Sequence, residues 1–397
     1  MAISLFPIKT ILLIGICFFS LLSNAAGLRL HTKSQLGQDT ETEPIGGNTG
    51  RNLASQRQKV FEHASELWKK YLLFTVDTWV ELRFSPLSCD INRAVLANAG
   101  PTGFQNDFNN APLNNVFYVN ALASNLKQVE LSSPSIEITI NSSISNNPQC
   151  LNGASWYLGL DGKAPQGQVD LLGILMHEIA HGLGFLSLTN FETGSLIRNR
   201  IDSFSLWLFD TKVNKYWYDL SDNQRKNVIQ GSSELVFRSS QVLSFTNFMQ
   251  DGYNSEGILM HTPKPAVRGS SLSHFNSSVL FYDAIFANEL LEPNYKSNFV
   301  SYLTTAVLGN IGWQLIRDSD QDGLTDDIDC LPLQVNDSCE GVDTSALEPN
   351  FNSIEQRRAP PDEGGSLNII FLTLLLILFV IRNQFVSMKF QQFIIKI

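Results

Sequence analysis

The stretch from Leu171 to Phe185, LLGILMHEIAHGLGF, constrains this chain more than any other part of it. It is apolar apart from two histidines and one glutamate. On a helix, His177 and His181 stand one turn apart on the same face. Two imidazoles in that relation can ligate one zinc ion. Glu178 follows the first of them and is the candidate general base towards a metal-activated water. Leu171, Leu172, Ile174, Leu175 and Ile179 would bury the rest of the helix. Asp170 stands at its N-cap position, and Gly184, shortly after the second histidine, can end it with a positive φ. The plain alternative is a buried helix with two satisfied histidines. Against it stand the apolar sequence, the glycines at 182 and 184, and a total of only six histidines.

Zinc on this helix needs a third protein ligand, with a fourth position open to water. Position 187, three past Gly184, is serine, a poor ligand. Downstream only His261 and His274 remain; His31 lies in a polar amino-terminal stretch and His63 falls on another helix. An acidic ligand, Glu192 or Glu289, is a more remote option. The spacing alone leaves this choice open.

His274 sits in GSSLSHFN, followed by ELLEP and YLTTAVLGNIGW. Here the chain resembles the leishmanolysin-like metzincins. The shared pattern is His-Glu-x-x-His-x-x-Gly-Phe, matched by His177, Glu178, His181, Gly184 and Phe185. That family places a long insertion before a third histidine in a Gly-Ser-His context, matched by Gly269 to His274. A Glu-Leu-Met-x-Pro turn follows there; Glu289, Leu290, Leu291 and Pro293 match it, with Leu291 in place of the methionine. Leucine has a similar volume and can fill that space. The resemblance implies His274 as third ligand. It also implies an α+β, zincin/metzincin-like two-lobe catalytic domain: an upper lobe with a twisted sheet and the active helix, and a mostly helical lower lobe. The cleft between them would hold an extended peptide along a strand edge. Residues 188–273 would be the insertion, with Phe204, Trp207, Phe209, Tyr216, Trp217 and Tyr218 as packing.

Within that catalytic unit, placed at 56–316, Val60, Phe61, Ala64, Leu67, Trp68, Tyr71 and Leu72 recur at helical spacing. Phe74–Phe84 and Ser135–Ile144 alternate as strands, with Ile136, Ile138 and Ile140 on one side. Residues 26–55 are polar and read as a flexible arm or propeptide.

The two ends read as addresses. Lys9, the apolar run Thr10 to Leu22 and small residues before Ala25 predict a signal peptide over 1–25. At the other end Gly364-Gly365 precedes an apolar run over 367–381, then Arg382, Lys389 and Lys396. This is similar to the GlyGly carboxyl-terminal sorting signal of Gram-negative bacteria. The similarity implies membrane contact through 367–381 before processing by a sorting peptidase, then secretion or surface attachment. A plain tail anchor is the alternative, although the run is shorter than the ~20 residues a span normally needs. The whole chain carries −10; without both ends 24 basic residues face 38 acidic ones, or −14. Such a chain lacks the basic face that nucleic-acid binding requires.

Four cysteines remain after the signal, and Cys89–Cys150 with Cys330–Cys339 is the favoured pairing, as suits an oxidising compartment. From Asp318 the composition turns acidic. Asp318, Asp320, Asp322 and Asp329 fall at positions 1, 3, 5 and 12 of a calcium-loop spacing, with Gly323 at position 6 and Asp326 between. This segment, 317–341, resembles a thrombospondin type 3 repeat and predicts bound Ca2+; an acidic connector without metal is the alternative. Residues 342–363 read as a linker.

The expected activity is therefore that of an exported zinc-dependent endopeptidase acting on a protein or peptide. Two competitors are a catalytically inactive surface adhesion module on the same scaffold, and a zinc hydrolase with a different substrate. Retention of Glu178 argues against the first.

Overall fold

The computed structural model describes residues 25–32, 34–231, 234–276, 285–294, 299–321, 324–326, 329, 332–334, 349, 351 and 354. Residues 1–24 of the stretch expected as a signal peptide, the stretch 364–397 expected as a sorting signal, Cys330, Cys339 and Asp322 lie outside the described residues. Among the described residues no helix is long and apolar enough to cross a membrane.

The chain forms a mixed α+β structure. Its first helix, α1 (Leu53–Trp68), starts seven residues before the apolar repeat that predicts it. Asn52 is the reason: its side chain accepts from Ser55 N at 2.7 Å while Ser55 Oγ accepts from Asn52 N at 3.2 Å, closing both ends of a capping box. Val60, Phe61, Ala64 and Trp68 are buried.

A four-stranded sheet lies beside α1. Strand β2 (Thr78–Ser85) pairs in parallel with β1 (Leu28–Leu30) on one side and with β6 (Ile136–Asn141) on the other. Strand β3 (Ala97–Pro101) closes the far edge, antiparallel to β6. Ile136, Ile138 and Ile140 all point into the core, as their alternation with Glu137 and Thr139 requires.

Residues 26–55 are not a free arm. Leu28–Leu30 is a strand of the sheet, Arg57 donates to Leu36 O at 2.8 Å, and Asn48 is fully buried, donating to Gln56 O and Leu158 O. A polar sequence can be held this way because its hydrogen bonds run to the body rather than to itself.

Between β3 and β6 come β4 (Phe104–Gln105), β5 (Val116–Val119) and α2 (Asn120–Lys127). After β6 a short α3 (Ser143–Asn146) leads to the parallel pair β7 (Ser155–Tyr157) and β8 (Gln168–Asp170). Strand β8 runs directly into α4 (Leu171–Leu183), capped by Asp170, whose carboxylate accepts from Leu172 N at 3.1 Å. Helix α4 packs on β3 and β6.

The insertion departs from the mostly helical lower lobe that the resemblance implies. Strand β9 (Ile201–Asp202) pairs with β5. Beyond it β10 (Leu208–Asp210), β11 (Lys215–Tyr216), β12 (Leu235–Phe237), β13 (Tyr253–Asn254) and β14 (Gly257–Leu259) form an antiparallel sheet in the order β11-β10-β12-β14-β13. Helices α5 (Asp222–Ile229) and α6 (Ser240–Ser244) lie between its strands. The aromatics of this stretch do pack: Trp207 stacks on Phe237 and Tyr216 on Tyr218. Helix α7 (Tyr302–Ile311) ends the body, and Trp313 Nε1 donates to Leu183 O at 2.9 Å, tying that end to α4.

The described part of 342–363 is also not a free linker. Phe351 meets Trp207 edge-on at 5.8 Å between ring centroids, and Ile354 is buried.

Candidate metal centre

Helix α4 ends where its glycines allow. Gly184 takes φ +118, Gly184 N reaches back to His181 O and Phe185 N to Ala180 O. Phe185 O is thereby brought under His181 and accepts from its Nδ1 at 2.8 Å. Gly182 lies so close to β6 that a Cβ there would stand 2.3 Å from Ile136 Cγ2.

His274 comes from a segment that continues the β14 side of the second sheet. Met260 and Phe275 form an antiparallel bridge, and Phe275 N donates to Leu291 O at 2.8 Å. Leu291 is fully buried in the turn at the position where the resemblance expects methionine. The preceding carbonyl, Leu290 O, accepts from His177 Nδ1 at 2.7 Å, and Ser270 O accepts from His274 Nδ1 at 2.9 Å.

These three carbonyls decide the chemistry of the rings. A carbonyl can only accept, so each Nδ1 carries the proton and each Nε2 presents a lone pair. The three Nε2 atoms face one another at 3.1, 3.2 and 3.2 Å. Three acceptors at that range repel unless a cation lies among them. Nitrogens at ~2.05 Å from a tetrahedral ion would be about 3.3 Å apart, so the donor type and the spacing both fit a metal such as zinc. Among the described residues, His177, His181 and His274 are the group of three or more metal-ligating side chains, and it can bind a metal ion. Burial pushes His177 down to about 3, with His181 adding to it, and His181 down to about 4. His274 lies well below its usual value for the same reason, so all three are neutral, as ligands must be.

The Glu178 carboxyl is buried beside them and is pushed up to about 8 by that burial. The histidines and Glu178 line a cleft of about 1230 Å³. One wall is the hairpin before β3 and β3 itself, from Asn92 to Ala99; the other is the loop Val267 to His274 with the turn Asn288 to Asn294.

The rival ligands have other duties. Glu192 is exposed and ion-paired to Arg268 at 2.6 Å. Glu289 accepts from Thr304 N, Thr304 Oγ1 and Leu303 N, capping α7. His261 lines the cleft but is not one of the converging three. The orienting carbonyls of Phe185, Ser270 and Leu290 carry no sequence signal, because every residue has a carbonyl.

The acidic segment gives a different picture. Asp326 is buried and committed within the chain: it accepts from Ser319 N at 2.8 Å and Ser319 Oγ at 2.7 Å and pairs with Arg317 at 3.4 Å. Asp318 accepts from Gln321 N. Among the described residues, Asp318, Asp320, Asp326 and Asp329 do not form a cation-sized cluster, and Asp322 is not described. Of the two disulfides the sequence suggests, Cys89–Cys150 is formed, with Cα atoms 5.3 Å apart.

Compared with known proteins, the chain matches no family model and no curated protein.

Proposed function

We propose that this chain is an exported zinc endopeptidase in which His177, His181 and His274 hold the metal and Glu178 is the general base. The observation that carries the reading is the triangle of Nε2 lone pairs, 3.1–3.2 Å on a side, with Glu178 beside it in an open cleft. Zinc held there would supply Lewis acidity, polarising a peptide carbonyl and making water acidic near pH 7. The backbone carbonyls at 185, 270 and 290 keep the three rings in one tautomer and orientation. Glu178 takes a proton from the attacking water on a carboxylate oxygen and delivers it to the leaving amine. Burial raises this carboxyl, which suits it to release the proton to the amine, and a cation held by the three histidines would favour the carboxylate that accepts the proton first. The substrate lies extended against β3, which ends its sheet and borders the cleft.

The finer fold we read as metzincin-like, of the leishmanolysin kind. The features in its favour are the helix that stops at Gly184, the third histidine 93 residues after the second, and the buried turn around Leu291. Export is supported by the Cys89–Cys150 disulfide, which belongs to an oxidising compartment.

The test is direct. Purified protein should carry about one zinc per chain, cleave casein, and lose that activity to a chelator. Glu178→Gln should keep the zinc and lose hydrolysis by about 100-fold or more. Undiminished cleavage by that variant removes Glu178 as base. Zinc binding without any cleavage of casein or peptides favours the binding-module reading instead.

A further inference from the structure

The bridge between Met260 and Phe275 sets the direction of their neighbours. Next along it, His261 N donates to His274 O at 2.8 Å, and Leu272 N donates to His261 O at 2.9 Å. Successive residues alternate between faces, so the two histidines that flank the bridge leave on the side opposite to Met260 and Phe275; the regular ladder stops there, with Leu272 at φ +74. Met260 and Phe275 point into the core, 2% and 0% exposed, whereas His261 and His274 both line the cleft. The Nε2 of His274 is committed to the triangle and its Nδ1 to Ser270 O. The His261 ring is half-buried and makes no hydrogen bond with a described residue.

It is the uncommitted imidazole among the described cleft residues. The cationic side chains there are placed differently: Arg93 is exposed on the rim hairpin, and Arg268 is paired to Glu192. A ring N–H held by its backbone beside a metal ligand, facing the cleft and without a protein acceptor, is set for an acceptor on the substrate.

We propose, building on the proteolytic reading above, that His261 is a second catalytic residue: its ring N–H donates to the carbonyl oxygen of the scissile peptide. Negative charge grows on that oxygen in the transition state, so the hydrogen bond strengthens there and raises kcat more than it tightens ground-state binding. Glu178 moves the proton between water and amine; His261 moves none.

The experiment compares wild type, His261→Ala and His261→Gln on a quenched-fluorescent peptide that wild type cleaves, with zinc content and melting temperature measured alongside. The Ala variant should keep zinc and melting temperature, lose about 100-fold or more in kcat, and change KM by no more than about threefold. The Gln variant keeps an N–H at similar reach and should recover about tenfold of that loss. Three results would overturn the assignment: kcat within about threefold of wild type in the Ala variant, a loss confined to KM, or Gln no better than Ala. Loss of zinc in the Ala variant would do so as well, by making His261 part of the metal centre. A wild-type protein that binds zinc and cleaves no peptide overturns the proteolytic reading and this role together. A wild type that cleaves while the Ala variant matches it overturns this role alone.

Discussion

His274 and His261 flank one bridge, joined by the hydrogen bond from His261 N to His274 O, yet their substitutions should behave oppositely. His274→Ala removes one corner of the nitrogen triangle and should weaken metal binding on the order of 100-fold or more, read by metal content after dialysis. His261→Ala should leave it unchanged. Glu289 offers a pH test at the same scale. Its carboxyl is pushed up to about 7, chiefly by burial, with the hydrogen bonds from Thr304 and Leu303 opposing. In the unfolded chain it titrates near 4.5. Between those values the folded state holds a proton that the unfolded state has lost. Stability from this group is therefore greatest below 4.5, falls as pH rises to about 7, and is level above that. The whole effect is about 3 kcal/mol at most. Glu289→Gln should flatten that part of the profile in denaturant melts at a series of pH values; an unchanged slope would assign the dependence to another group.

At the scale of the element, α4 shows how a local rule can reverse sign. Replacing a helical glycine by alanine usually stabilises by about 1 kcal/mol. At Gly182 the new methyl would meet Ile136 at 2.3 Å, in the sheet that carries the helix. Gly182→Ala should therefore destabilise by about 1–3 kcal/mol, seen as a lower melting temperature. It should also reduce metal affinity, since His181 precedes it. The helix itself was legible in the sequence because its signals are local: a capping aspartate at 170, an apolar run, a glycine at 184. The long alternating strands β2 and β6 were legible for the same reason, though their ends moved by a few residues. The sheet of the insertion was not. Its strands have two or three residues each, too few for a period to register, and they are defined by partners up to dozens of residues away. The same holds for β1, whose three residues become a strand only because β2 offers an edge.

Across the whole molecule, the disulfide joins the cleft to the body. Cys89 opens the rim hairpin and Cys150 precedes Leu151, which lines the cleft and donates to Asp90 O at 2.9 Å. The bridge closes a loop with a sequence separation of 61. Loop-closure entropy puts its contribution at about 4 kcal/mol, with measured cases often about 2–5. Cys89→Ser with Cys150→Ser should lower stability by that order in denaturant melts and abolish the loss of stability that reducing this bridge causes in the wild type. It should also weaken the proposed peptide cleavage, because the wall from Asn92 to Ala99 loses its tether. Helix α4, its two histidines and its glutamate could be read from local sequence, because contacts three and four residues apart follow from helical pitch. The sequence also supplied, through resemblance, the candidate third histidine. Only the tertiary structure decided that His274 meets the other two, that their protons sit on Nδ1, and that His261 shares their cleft. Those facts depend on carbonyls and strand partners brought together across about a hundred residues, and local sequence carries no trace of such pairings.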